Sequence, residues 1–118
     1  MSSANDRMHE VDTLLSHVWM VRTFLKHSDE AEDDDELRSV HRALYDYSLS
    51  LGSHYANEDG ESYLRQAKKK FRRLREANEL FLAIQPEISN HTNFIMAARS
   101  LNATVQQLAV LLDSDTPS

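Results

Sequence analysis

The sequence predicts an all-α protein, and three observations carry that prediction. Leucine and alanine dominate the apolar residues, and only 2 of the 118 residues are glycine, well below the usual share of about 7%. Apolar side chains recur at spacings of three and four in four separate segments, as in amphipathic helices. No segment alternates apolar and polar residues convincingly. Because four helices of about 20 residues with short connections pack as antiparallel neighbours, we expect an up-down-up-down four-helix bundle.

The first predicted helix covers about 5–27. Asn5 or Asp6 is placed to cap its start. Its apolar stripe consists of Met8, Val11, Leu14, Leu15, Val18, Val21 and Leu25. An acidic connector, 28–36, follows, and we expect its last carboxylates to lie at the start of the second helix, where they complement the positive end of the helix dipole.

The second and third predicted helices share the same apolar period. The second covers about 34–55, with a seam of Leu37, Val40, Leu44, Tyr47, Leu51 and His54. The third covers about 61–83, with a seam of Leu64, Ala67, Phe71, Leu74, Asn78 and Phe81. Gly52 weakens the end of the second helix, and the segment 57–60 has the composition of a turn.

The start of the fourth helix depends on Pro86, which fits the first turn of a helix. Ser89 or Asn90 offers a later start. In the alternative fold, Pro86 kinks one long helix, and a partner chain completes a three-helix arrangement. We expect residues 1–118 to form a single helical domain with flexible ends at 1–4 and 113–118.

The composition excludes several classes of site. Without cysteine the chain forms no disulfide, thiolate zinc site, iron–sulfur cluster or cysteine nucleophile. Gly52 and Gly60 are too few for a glycine-rich phosphate loop. No basic stretch followed by an apolar one opens the sequence, and no apolar run approaches the roughly 20 residues of a membrane span. We therefore expect a cytoplasmic protein that does not cross a membrane.

We expect no enzymatic activity and no cofactor. Ser16-His17 and Ser53-His54 are adjacent pairs, and neighbours on a helix point about 100° apart, so neither pair can act as nucleophile and base. The remaining acids form no pair that the sequence can place face to face. The formal net charge of −6 opposes general nucleic-acid binding.

Three histidines are candidate metal ligands, because His17, His41 and His91 lie at edges of apolar stripes near the same end of the predicted bundle. Metal sites in bundles commonly use Glu-x-x-His pairs, and the sequence contains none. His41 on the second helix also resembles, in architecture, the phospho-accepting histidine of phosphotransfer domains. Arg42 and Ala43 follow it where that family has lysine and glycine. Metal binding or phosphotransfer is thus the alternative to histidines held at the core edge by hydrogen bonds.

A basic stretch in the third helix is the strongest local anomaly. Seven of the 13 lysine and arginine residues fall within 65–75, with no acid among them. An antiparallel hairpin places this stretch opposite about 41–51, out of register with the acidic connector. It is either a solvated helix face or a surface that meets an acidic face of another copy, another protein or phosphate. For that surface we select Lys68, Lys69, Arg72, Arg73 and Arg75.

The first helix predicts self-association. Trp19, Met20 and Phe24 flank its apolar stripe, and a small bundle cannot cover every flank of one helix. Exposed clusters of large apolar side chains usually mark contact surfaces. We therefore expect a homodimer, since two-fold symmetry is the commonest, with these three residues at or beside the contact. The favoured function is a non-enzymatic interaction or oligomerisation module.

Overall fold

The computed structural model describes residues 3–113, and over that range the chain forms five α-helices and no strand. The all-α prediction is therefore confirmed. The helices are α1 (Ala4–Lys26), α2 (Glu30–Asp33), α3 (Asp35–Ala56), α4 (Gly60–Ile88) and α5 (Thr92–Asp113). Their compact assembly measures 44 × 27 × 20 Å. The 29 residues of α4 set the long dimension, since each helical residue adds about 1.5 Å.

Among the four long helices, α1 runs antiparallel to α3 and to α5. Helix α1 packs against α3, α4 and α5, while α4 packs against both α3 and α5. The aromatic ring of Tyr55 at the end of α3 meets His9 near the start of α1, so these two helices are antiparallel. At the other end of α1, Phe24 meets Phe94 near the start of α5, which gives the same relation between α1 and α5.

The cap of α1 differs from the prediction. Ser3 caps the helix: its hydroxyl accepts a hydrogen bond from the Asp6 N–H at 3.0 Å, and the Asp6 carboxylate accepts one from the Ser3 N–H at 3.4 Å. This reciprocal arrangement is a capping box. Asn5, a predicted cap, instead uses its side-chain oxygen to accept a hydrogen bond from the Gly60 N–H at 2.8 Å. Asn5 thereby ties the start of α1 to the start of α4.

The acidic connector contains a helix of its own, α2, that the sequence analysis did not predict. Ala31 is buried, which fastens the short helix to the core. Arg38 of α3 donates hydrogen bonds to the carbonyl oxygens of Ala31 and Glu32 at 3.0 and 2.6 Å. Carbonyls at a helix C-terminus lack partners within the helix, so the guanidinium satisfies them and holds α2 against α3. Asp34 then caps α3 by accepting from the Leu37 N–H at 2.8 Å.

Pro86 neither starts the fourth long helix nor kinks a continuous one, so both of these expectations are wrong. It lies in the last turn of α4, which ends at Ile88, and α5 begins only at Thr92. A proline there removes one backbone hydrogen bond, while Ile84 is buried and Ile88 packs against the core. The extended backbone at Ser89 (φ −165°, ψ 131°) ends the helix. The predicted start at Ser89 or Asn90 lies closer to the observed start at Thr92 than Pro86 does.

The core lies between the four long helices. Its largest fully buried side chains include Tyr63, Phe81, Met8, Leu25, Leu37, Leu44, Leu51, Leu74, Leu101 and Leu108. Each such leucine contributes roughly 1.5–3 kcal/mol relative to an exposed position. Tyr63 donates a hydrogen bond from its hydroxyl to Asp12 at 3.0 Å, and buried Asn78 donates one to Asn102 at 3.1 Å. Among the described helices, none combines the length and the apolarity needed to cross a bilayer.

The predicted flexible ends fall largely outside the described residues. Of those positions, Ser3 caps α1, Ala4 begins it, and Asp113 ends α5. The prediction of a single domain over 1–118 stays a prediction.

The two glycines give a matched test of this packing. A Cβ at Gly60 would lie 2.6 and 2.7 Å from the backbone carbonyl carbon and oxygen of Ala4, whereas one at Gly52 would meet nothing within 4 Å. We expect Gly60→Ala to lower the free energy of unfolding by about 1–3 kcal/mol, because rigid backbone must move. Gly52→Ala should raise it by about 0.4–1 kcal/mol, because alanine favours the helix. Urea unfolding followed by circular dichroism measures both; equal effects would contradict the close approach of α1 to α4.

Candidate functional site

The basic stretch lies on the exposed side of α4. All five predicted partner-binding residues are exposed, as are two further cations of the stretch: Lys68, Lys69, Arg72, Arg73, Arg75, Arg65 and Lys70. The seam positions Leu64, Ala67 and Leu74 are buried. Apolar residues at spacings of three and four fill one side of a helix, so the cations between them face outward. We call these seven cations the basic face.

Three cations of the basic face lack a paired acid among the described residues. Arg72 lies 4.0 Å from Glu76, with the two side chains 81% and 61% exposed, and a pair this exposed contributes only about 0–1 kcal/mol. Across residues 3–113, no acid lies within 4.0 Å of Lys69, Lys70 or Arg73. These cations are therefore available to an external anion.

A cavity of about 410 Å³ lies between α3 and α4, and three cations line it: Arg42, Lys70 and Arg73. One acid, Asp46, lines it as well. Ser39, Ala43 and Tyr47 complete the lining. We call this space the α3/α4 cavity. A neighbouring cavity of about 360 Å³ shares part of this lining and extends along the same two helices to Leu80.

Hydrogen bonds inside the protein already occupy the hydroxyl donors of the α3/α4 cavity. Tyr47 donates from its hydroxyl to the carbonyl oxygen of Ala67 at 2.9 Å, and burial raises the pKa of that hydroxyl. Ser39 donates to the carbonyl oxygen of Glu36 at 2.7 Å. The three cations are therefore the groups of the cavity that can donate to a ligand.

Sequence reasoning selected Arg73 but missed Arg42 and Lys70. The hairpin register does predict that 65–75 lies opposite 41–51, and the shared cavity of Asp46 and Lys70 agrees with it. Which cations of α4 turn toward α3 depends on helix rotation, and the spacing of the seam constrains that rotation only approximately. The register was thus the signal that could have pointed to Arg42.

The acids of the connector lie beside the C-terminal end of α4, away from the basic face. A cavity of about 280 Å³ there is lined by Glu30, Asp33, Asp34, Glu36, Ile84, Glu87 and Ile88. Since α4 runs from Gly60 to Ile88, its basic half and its acid-flanked end are separated along its length. The acidic connector does not neutralise the basic face.

A second surface lies between α1 and α5 and has an apolar character. Met20 is 64% exposed and Met96 is 50% exposed, and both line a cavity of about 330 Å³ with His17, Val21, Phe24, Asn93, Ala97 and Ser100. Phe24 itself is half-buried, with its ring 5.0 Å from that of Phe94. Of the residues selected for self-association, Met20 and Phe24 thus share this α1/α5 surface.

Trp19 lies on the other flank of α1, toward α3. Its ring centroid is 5.9 Å from that of Tyr45, and the Arg22 guanidinium lies 4.7 Å from the Trp19 ring and 4.6 Å from the Tyr45 ring. A cation between two aromatic rings is attracted to both. Trp19 still exposes 41% of its surface, so it borders the outer side of α1.

The structure does not bring His17, His41 and His91 into one metal site. Among the described residues, no group of three or more His, Cys, Asp or Glu side chains could hold a metal ion. His17 lines the α1/α5 surface. His91 precedes α5, where its Nδ1 accepts a hydrogen bond from the Asn93 N–H at 3.0 Å. His91 thus caps a helix.

His41 lies half-buried on α3 among cations. Burial lowers its pKa, and the charges of Arg22, Arg42, Lys26 and Arg38 lower it further. A surrounding that disfavours a positive imidazole also disfavours a metal cation beside it.

No protein-family model, curated protein or solved structure matches the chain.

The environment of His41 predicts a pH effect. Because the folded-state pKa lies below the ordinary value of 6.5, the unfolded chain binds the proton more readily. Stability should therefore fall as the pH drops from 6.5 through the folded-state pKa. We expect the NMR titration midpoint of His41 to lie below 6.5, to rise in Arg22→Gln, and to remain below 6.5 there because burial is the larger cause. A midpoint at or above 6.5 in the unmodified protein would contradict this environment.

Proposed function

We propose that the protein is a non-enzymatic interaction module, built as an up-down-up-down four-helix bundle, whose basic face binds an acidic protein partner. The antiparallel packing of α1 with α3 and with α5 supports the bundle. The exposed cations of the basic face support the binding of an acidic partner. The observation that carries the proposal is that Lys69, Lys70 and Arg73 are exposed and lie within 4.0 Å of no acid among residues 3–113.

An acidic protein fits the basic face better than a nucleic acid. Single-stranded nucleic acids are usually held by stacking aromatic side chains beside the cations. Phe71, the aromatic residue within the stretch, is half-buried against the core, and the Arg75 guanidinium lies 5.9 Å from its ring centroid. The net charge of −6 also repels a long polyanion, whereas a short acidic segment contacts only the local patch.

We also propose that two copies associate through the α1/α5 surface. A two-fold interface brings the same residues of both copies together. A charged face would therefore meet its own like charge, and the net charge of −6 adds to the repulsion between two copies. The lining of the α1/α5 cavity contains no Asp, Glu, Lys or Arg. Two copies can meet there at low electrostatic cost, and Met20 and Met96 supply flexible apolar contact.

Binding of an acidic probe tests the partner proposal. We expect a fluorescein-labelled glutamate-rich peptide to bind, with affinity falling about tenfold or more between low and physiological salt. Reversing two cations, in Lys69→Glu/Arg73→Glu, should abolish measurable binding in fluorescence anisotropy, because attraction becomes repulsion.

The matched control reverses one lysine and one arginine elsewhere, in Lys26→Glu/Arg99→Glu; both positions are exposed on other helices. This control has the same net charge, so it should retain most of the binding. Circular dichroism confirms that each variant is folded. Equal losses in the two double variants would show that total charge, rather than the basic face, governs binding and would refute the proposal.

Sedimentation velocity tests self-association. We expect a dimer at tens of micromolar protein and a monomer for Met20→Glu, because the carboxylate would be buried against its two-fold mate. Leu49→Glu is the control: Leu49 is 61% exposed on α3, close to the 64% of Met20, and this variant should remain dimeric. A monomeric unmodified protein, or a monomer in both variants, would contradict the α1/α5 surface as the contact.

A further inference from the structure

We propose that the α3/α4 cavity is a phosphate site, which receives a phosphorylated side chain of the acidic partner. The inference rests on the proposed function, since it assigns one position of that partner to one cavity of the basic face. Three cations line the cavity, Arg42, Lys70 and Arg73. They come from two helices, so they surround a ligand from both walls.

The charge of the cavity selects the kind of anion. Three cations and Asp46 give the lining a net formal charge of +2. A phosphate monoester carries about −1.5 to −2 at pH 7 and neutralises this charge, whereas a carboxylate carries −1 and leaves an excess. No ion pair within residues 3–113 ties Arg42, Lys70, Arg73 or Asp46 to another side chain. The cations can therefore turn to the ligand without breaking a bridge.

The donors of the cavity also fit a phosphate group. Because the Tyr47 and Ser39 hydroxyls donate to backbone carbonyls, the free donors are the two guanidinium groups and one ammonium group. Guanidinium groups bind phosphate oxygens through paired N–H donors, and lysine adds a point charge. A volume of about 410 Å³ lies within the range of small-ligand sites, roughly 300–1,000 Å³, and holds a phosphorylated side chain with water.

The surroundings of the cavity favour a phosphorylated protein segment over a free phosphate. The neighbouring cavity shares Ser39, Ala43 and Arg73 with it. The rest of its lining is Val40, Ala77, Leu80 and one acid, Glu76, so we expect it to receive an apolar residue next to the phosphorylated one. Lys69 and Arg72 are exposed on the same helix but do not line the α3/α4 cavity. They are placed to meet acids that flank the phosphate.

Variants at two pairs of adjacent cations, Lys69/Lys70 and Arg72/Arg73, distinguish binding at this phosphate site from a general attraction to the basic face. Lys70 and Arg73 line the cavity, whereas Lys69 and Arg72 do not. The probes are a glutamate-rich peptide with one central phosphoserine and its unphosphorylated twin, both measured by fluorescence anisotropy. We expect the phosphopeptide to bind at least about tenfold more tightly than its unphosphorylated twin. Lys70→Ala and Arg73→Ala should reduce that preference several-fold, while Lys69→Ala and Arg72→Ala weaken both peptides equally and leave the preference unchanged.

Asp46 supplies a test in the opposite direction. Asp46→Asn removes the anion of the cavity, so affinity for the phosphopeptide should rise several-fold, and more than affinity for its twin. Inorganic phosphate should displace the phosphopeptide only at far higher concentration, because it lacks the flanking contacts.

Each contrary result has a distinct meaning. Equal affinity for the two peptides, or equal effects of Lys69→Ala and Lys70→Ala on the preference, would refute the phosphate site and leave the basic face as an acidic-partner surface. Inorganic phosphate that binds as tightly as the phosphopeptide would refute the assignment to a protein segment. Failure of both peptides to bind would refute the proposed function itself.

Discussion

The antiparallel packing of α3 on α4 is the constraint on which the surface of this protein depends. Its apolar seam includes Leu44 on one helix and Leu74 on the other, both fully buried. Across the same contact, the Tyr47 hydroxyl donates to the Ala67 carbonyl at 2.9 Å. A buried hydrogen bond of this kind adds only about 1 kcal/mol net, but leaving either group without a partner costs about 1–3 kcal/mol. The seam thus supplies most of the stability, and the hydrogen bond penalises other registers.

That register determines where charge accumulates. It sets Arg42 across from Arg73 in one cavity and leaves the acids of the connector at the far end of α4. Lys69, Lys70 and Arg73 remain exposed and have no acid within 4.0 Å among residues 3–113, an arrangement that adds nothing to folding stability. Helix α1, which packs on three other helices, has a different role. Its inner stripe completes the core, and its outer side presents Met20 and Trp19.

The periodicity of the sequence predicts α1, α3, the first part of α4 and most of α5, because burial of a one-sided apolar stripe dominates helix formation. It fails where tertiary contacts override local preference. Burial of Ile84 carries α4 past the point at which Pro86 indicates a boundary, and the contacts of Arg38 make a helix of an acidic segment expected to be a connector. The spacing of the seam on α4 was enough to predict that the basic face is exposed. It could not predict the α3/α4 cavity, because helix rotation decides that Lys70 lines it and Lys69 does not.

Nuclear Overhauser effects between α3 and α4 test the packing most directly. We expect contacts between the ring protons of Tyr47 and the Hα of Ala67, which the 2.9 Å hydrogen bond brings together, and a break in helical connectivity between Ile88 and Thr92. Helical connectivity that continues unbroken through 86–95, with no contact between Tyr47 and Ala67, would contradict it.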